Sequence, residues 1–112
     1  MENEQTEKLI EYYNNKIEVG FLELGLPDHM KGGVSRYILQ GIKPGGFLTA
    51  ILSNDLKEAA GRADSSNQRM LFEWASFIVN YIPAPSQGGP EQVNDWINRG
   101  GAIGDIKNED KK

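Results

Sequence analysis

The stretch GIKPGGFLTA, from Gly41 to Ala50, constrains the fold more than any other part of the chain. A helical pattern ends at Gly41 and another begins at Pro44, which predicts a sharp corner between two helices. Backbone N–H groups at the start of the second helix lack intrahelical partners, and the helix dipole is positive there. The corner can therefore attract an anion beside Lys43. The alternative is an ordinary tight connection between helices.

Helical periodicity flanks the corner on both sides. Asp28 is the expected N-cap of the helix before it, whose apolar face comprises Met30, Val34, Tyr37 and Ile38. Residues 47–63 give the strongest helix signal, and residues 68–82 carry an aromatic face that we expect to form the main core. Capping residues at 64–67 leave open a kink or a separate helix, and Pro90 opens a last helix over 90–99. The predicted fold class is all-α: a small helical domain with a long central helix, straight or kinked.

Charge patterning predicts three regions. Residues 1–25 carry two lysines and six glutamates, a difference of −4 that equals the net charge of the whole chain. We expect residues 1–26 to form an acidic N-terminal arm or helix that docks on the core, with an extended linker near its end. Residues 27–100 are predicted to be the helical core domain, and the polar residues 101–112 a disordered tail.

Several function classes are disfavoured by composition. There is no cysteine, which excludes disulfides and thiolate chemistry and leaves the redox compartment open. No apolar run approaches the ~20 residues of a membrane span, and the acidic N-terminus lacks a basic-then-apolar leader, so we expect a cytoplasmic protein without membrane contact. An acidic pI argues against binding DNA or RNA polymers. His29 has no evident partner ligands, and Asp55 and Glu58 lie beside Lys57 in what is best read as a solvated charged face. We therefore expect no catalytic residue, no metal site and no cofactor.

What remains is a binding constellation within one helix–corner–helix unit. Basic side chains neutralise phosphates, a tyrosine ring can stack on a nucleobase, and a hydroxyl near a helix start can face an anion. Arg62 and Arg69 lie further along the chain and can join such a site only through folding or from another subunit. The candidate ligand-binding residues are Arg36, Tyr37, Lys43, Gly45, Gly46 and Thr49.

The chain also resembles a family of small, mostly phage-encoded proteins. The resemblance covers about residues 27–98, and the spaced pattern is more specific than any single motif within it. It is carried by Tyr37, Gly41, Pro44-Gly45, Phe47-Leu48, Ala50, Leu52, Asn54-Asp55-Leu56, Ala63-Asp64, Asn67, Pro83, Pro90-Glu91 and Trp96. The family is that of the anti-CBASS sponges, which hold cyclic nucleotide signals of bacterial immunity without cleaving them.

The resemblance implies an all-helical homohexamer with pockets between subunits that sequester cyclic di- and trinucleotides in the cytoplasm of the host bacterium. Tyr37 would be the base-stacking residue, and the helix start from Gly45 to Thr49 would contact phosphate. Where the family pattern has Trp-Gly-Ser, this chain has Gln87-Gly88-Gly89, which bears on the packing of that loop. The alternative function is a phage protein-interaction or structural adaptor, without a small-molecule ligand, that binds a host protein through its acidic arm.

Overall fold

The computed structural model describes residues 3–110, and their backbone is all-helical, as predicted, with no strand. Single 3₁₀ turns at Asp28–Met30 and Ala84–Ser86 precede the second and seventh helices. Within this part of the chain, no helix is both long and apolar enough to cross a membrane. The helices are α1 (Asn3–Leu24), α2 (Lys31–Gln40), α3 (Gly46–Leu52), α4 (Leu56–Arg62), α5 (Ser65–Arg69), α6 (Leu71–Tyr81), α7 (Pro90–Arg99) and α8 (Gly101–Asp110).

The N-terminal helix packs against α2, α6 and α8, so it shares the core with the rest of the chain. Phe21 is buried and meets the rings of Trp74 and Phe77 edge-on, at centroid distances of 5.7 and 5.3 Å. Such T-shaped contacts add stability beyond the apolar area that they bury. The expected extended linker near the end of the arm is wrong, because α1 continues without interruption through Leu24.

The long central helix expected over residues 47–63 is wrong, because two short helices, α3 and α4, occupy this range. The chain breaks at Asn54, which adopts a left-handed backbone conformation with φ 63°. Asp55 then caps α4, its carboxylate accepting a hydrogen bond from the N–H of Glu58 at 3.1 Å. Asp64 caps α5 in the same way, so each of these capping residues starts a separate helix.

The disordered tail predicted for residues 101–112 is also wrong for residues 101–110, which form α8. Ala102 and Ile106 are buried, and α8 packs against α2 and α1. Gly101 lies so close to the end of α2 that a Cβ there would sit 2.5 Å from the backbone nitrogen of Gly41. Residues 1, 2, 111 and 112, which belong to the predicted arm and tail, lie outside the described residues.

The helix boundaries that depend on local signals are where the sequence indicates. Gly41 ends α2 with φ 69°, and Gly100 ends α7 with φ 84°, both in the left-handed region that favours glycine. Pro90 occupies the first turn of α7. The Gly41–Ala50 corner is therefore a connection with defined helix boundaries, joining the end of α2 to the start of α3.

Candidate ligand-binding groove

The corner is built by a helix end, a short extended stretch and a helix start. The backbone N–H of Gly41 donates to Tyr37 O at 2.9 Å and closes α2. The chain then runs without helix to Gly45, the N-cap of α3, whose ψ is 177°. Thr49, one turn into α3, directs its hydroxyl back to the carbonyl oxygen of Pro44 at 3.1 Å. The corner is therefore held by its own hydrogen bonds and presents its outer surface to solvent.

An open groove of about 450 Å³ runs along this surface, and we call it the corner groove. It lies between the corner, α3, α4 and the start of α7. Its volume falls within the ~300–1,000 Å³ that is typical of small-molecule sites. The lining residues are Lys43, Pro44, Gly46, Thr49, Ala50, Ser53, Asp55, Glu58, Arg62 and Pro90.

Arg62 reaches the corner from α4. It is distant from the corner along the chain, so only folding brings the two together. Its side chain lies across Gly46, where an added Cβ would be 2.9 Å from Arg62 Cδ and 3.0 Å from Nη1. The guanidinium Nε donates to Glu58 Oε2 at 2.7 Å, one turn earlier on the same helix. An arginine has five N–H donors, so this ion pair orients the guanidinium and leaves other donors for a ligand.

The charges that line the corner groove are two cations and two anions. Asp55 is committed to capping α4, and Glu58 is paired with Arg62. Lys43 is exposed and forms no ion pair with any of the described residues. Lys43 is thus the lining cation that forms no ion pair with a described residue, although the formal charges of the lining sum to zero.

Three of the six predicted site residues, Lys43, Gly46 and Thr49, line the corner groove together. Gly45 is exposed directly beside them as the N-cap of α3. Arg36 is exposed on α2, with its Nη1 positioned 3.1 Å from where a Cβ on Gly32 would lie, and it is not among the lining residues. The fold therefore gathers the corner residues and leaves Arg36 outside the groove.

Tyr37 is not available for the base-stacking role that the resemblance implies, because its side chain belongs to the core. The residue is 1% exposed, and its hydroxyl donates to the carbonyl oxygen of Ser86 at 2.6 Å. Burial raises the pKa of Tyr37 above its ordinary value of 10.0. The indole N–H of Trp96 donates to the Tyr37 carbonyl oxygen at 3.0 Å, so this residue joins α2 to both the loop and α7.

The groove also contains residues that the sequence did not assign to it: Ser53, Asp55, Glu58 and Pro90. Glu58 and Arg62 are four apart on a helix, a spacing that predicts their ion pair but not the neighbour that they pack against. Pro90 arrives from a distant segment, and no local signal in the sequence points to it.

Residues 3–110 hold no group of three or more His, Cys, Asp or Glu side chains arranged to bind a metal ion. His29 lies at the surface with Nε2 4.0 Å from Asp64 Oδ2.

Comparisons with models of known protein families, with curated proteins and with solved structures found no match for this chain.

Proposed function

We propose that the protein binds and sequesters cyclic di- and trinucleotides without cleaving them, and that the corner groove is the surface it uses. The observation that carries the proposal is the position of the unpaired Lys43 beside Gly46, with the Arg62 guanidinium laid across that glycine. Because the Arg62 side chain covers Gly46, a small anion in the groove meets the Arg62 guanidinium and Lys43 rather than the backbone of that glycine. The family resemblance of the corner supplies the class of ligand.

The positive charge that attracts a phosphate has to come from Lys43 and Arg62 more than from the start of α3. α3 has only seven residues, so its dipole is short, and the predicted phosphate contact at Gly45–Thr49 needs Lys43 and Arg62 beside it. A cyclic dinucleotide carries two phosphates, whereas one chain offers one unpaired lysine in the groove. We therefore propose that two copies of the chain share each ligand, within a homo-oligomer that the resemblance implies to be a hexamer. Such ligands place the protein in the cytoplasm of a phage-infected bacterium.

Calorimetric titration with a panel of cyclic di- and trinucleotides tests this function, followed by chromatography of the recovered ligand. We expect tight binding and return of the ligand intact. Replacing a charged donor to phosphate costs about 2 kcal/mol. Lys43→Ala removes one donor from each of the two copies that share a ligand, so it is expected to raise Kd on the order of 1,000-fold. Lys57→Ala, an exposed lysine of α4 outside the groove, is the matched control and should leave Kd within about twofold.

Equal affinity for the wild type, Lys43→Ala and Lys57→Ala would remove the corner groove from the binding site. Binding followed by cleavage of the ligand would contradict sequestration. No heat with any member of the panel would reject this function and favour the second candidate.

The second candidate is a protein-interaction adaptor, and the outer face of α1 favours it. Tyr12, Val19 and Leu22 are 55, 46 and 79% exposed on a helix rich in glutamate. Lys16 lies over the Tyr12 ring beside this stripe, at 5.7 Å from the ring centroid, but glutamates outnumber lysines on the helix as a whole, which suits a partner helix with basic flanks. Leu22→Glu would abolish binding of such a partner and leave nucleotide binding unchanged, which separates the two functions.

A further inference from the structure

A second apolar surface lies on α6, away from both the core and the corner groove. We call it the α6 outer face and define it by Phe72, Ala75 and Val79 together with Leu56 of α4. Phe72 is 80% exposed, Val79 72% and Leu56 66%. Large apolar side chains exposed singly are common at protein surfaces. Here Phe72 and Val79 lie seven residues apart on one side of α6, and Val79 shares a hollow with Leu56, so the three form a group that indicates an interaction site.

The sequence of α6 explains why this face cannot be an ordinary solvent face. Trp74, Phe77 and Ile78 point into the core, which normally leaves the opposite side of a helix polar. The polar residues Glu73, Ser76 and Asn80 follow a spacing of three and four, so they form only one narrow strip. The rest of the helix surface is apolar, which is typical of a helix buried on two sides.

We propose that the α6 outer face is a self-association surface, on which a second copy of this chain packs about a twofold axis near Ala75. The face carries both a knob and a hole. Phe72 protrudes, and its helix neighbours Leu71 and Ala75 line a hollow of about 260 Å³, larger than the ~150 Å³ cavity that accommodates a benzene ring. A twofold axis lets each Phe72 ring enter the hollow of the other copy, so both the ring and the hollow are used. Binding of a different partner would need either the protruding ring or the hollow, but not both.

The charges of the face are compatible with self-pairing. Asp55 is the charged residue among those that line the hollow, and its carboxylate already caps α4. A chain with a net charge of −4 repels its copies through its acidic α1, and pairing through a surface with a single carboxylate adds little to that repulsion. The hollow is lined by Ile51, Asn54, Asp55, Leu56, Leu71, Ala75, Ile78, Val79, Gln87 and Gly88.

The area is adequate for the centre of a dimer interface. The three exposed side chains present on the order of 400 Å² of apolar surface, judged from the size of such side chains. A standard interface removes ~800 Å² from each partner, with an apolar centre and a polar rim. Asn54 and Gln87, at the edge of the hollow, fit that rim. This proposal does not rest on the nucleotide-binding function, since the face lies outside the corner groove apart from the shared Asp55.

Sedimentation equilibrium of the full chain over a range of concentrations tests the proposal. We expect a dimer, or a larger oligomer built from dimers, and Phe72→Glu is expected to raise the dissociation constant on the order of 100-fold. Val79→Glu serves as the second variant on the same face. Leu22→Glu is the matched control, because Leu22 has nearly the same exposure, 79%, but lies on α1. Circular dichroism melting confirms that each variant is folded.

A monomeric wild type would overturn the proposal and leave the face to a different protein partner. An oligomer that survives both Phe72→Glu and Val79→Glu would overturn it as well. Dissociation by Leu22→Glu alone would place the interface on α1 instead. Because the chain has no cysteine, Ala75→Cys adds a direct check: the proposed axis predicts a disulfide-linked dimer on mild oxidation, and Leu22→Cys should form none.

Discussion

Removing the Tyr37 hydroxyl is expected to destabilise the fold without changing ligand binding. The hydroxyl donates to the carbonyl oxygen of Ser86 at 2.6 Å, and both residues are almost fully buried. Tyr37→Phe leaves that carbonyl without its donor in the core, which costs about 2 kcal/mol. For a domain of this size the loss lowers Tm by about 8 °C. Tyr37→Ala also removes the ring and leaves a cavity, so its cost is about 4 kcal/mol.

Urea unfolding followed by tryptophan fluorescence measures these losses, and calorimetric titration under folding conditions measures ligand affinity. Tyr12→Phe is the matched control: this tyrosine is 55% exposed, so its change should stay within about 0.5 kcal/mol. A Tyr37→Phe protein of wild-type stability would refute the account of the core. A folded Tyr37→Phe variant that no longer binds the ligand would restore a binding role to this residue.

Alkaline pH gives an independent check on Tyr37. Its pKa in the folded protein is raised above the ordinary value of 10.0 by burial, so its contribution to stability is complete below pH 10. As pH rises further, the unfolded chain loses the tyrosine proton first, and the free energy of unfolding falls by about 1.4 kcal/mol per pH unit. Tyr37→Phe should show a correspondingly shallower decline above pH 10. Identical slopes for the two proteins would contradict this assignment.

Two further predictions concern close packing and buried polarity. Gly101→Ala is expected to lower the free energy of unfolding by about 3 kcal/mol, because the residue has a left-handed φ of 69° and the new Cβ would lie 2.5 Å from the backbone nitrogen of Gly41. Gly25→Ala is the control: it has the same φ but open space around it, so its cost should be about 1 kcal/mol. Equal Tm values for these two variants would disprove the backbone contact. Asn67→Ala leaves the indole N–H of buried Trp74 without its acceptor at 2.8 Å and should cost about 2 kcal/mol in urea unfolding, whereas a neutral effect would show that this hydrogen bond is dispensable.

The parts of the fold that depend on local chemistry could be predicted from the sequence. Gly41 and Gly100 end helices because the left-handed conformation is nearly free of strain for glycine, and Pro90 begins one because its N–H is not needed there. The break after α3 was missed, although its signal is present as Ser53-Asn54-Asp55, three residues that favour caps and turns. The apolar periodicity across residues 47–63 outweighed it.

The helix α8, in the predicted tail, could not be predicted from the sequence for a different reason. α8 has a weakly apolar sequence, and its order comes from burying Ala102 and Ile106 against α2 and α1. That stabilisation is tertiary, so helix propensity could not reveal it. From its local sequence Gly101 is expected to end a helix. In the fold it begins α8 and allows the backbone there to lie close to the backbone at the end of α2.

The candidate site could be predicted only in part. Lys43, Gly46 and Thr49 are neighbours along the chain, and their convergence follows from the corner itself. Arg62 enters through the packing of α4 on α3, which requires the break that the sequence pattern concealed. Tyr37 had a visible signal against a ligand role, because it shares the buried face of α2 with Val34, three residues earlier.

The measurement that tests the central claim most directly is the change in backbone amide chemical shifts when a cyclic dinucleotide is added to the ¹⁵N-labelled protein. Binding in the corner groove predicts that the largest shifts occur at Lys43, Gly46 and Thr49. At a ligand concentration that just saturates the wild type, these shifts should be much smaller in Lys43→Ala and unchanged in Lys57→Ala. Shifts confined to α1 or to the α6 outer face, or no shifts at saturating ligand, would contradict the claim that this groove holds the ligand.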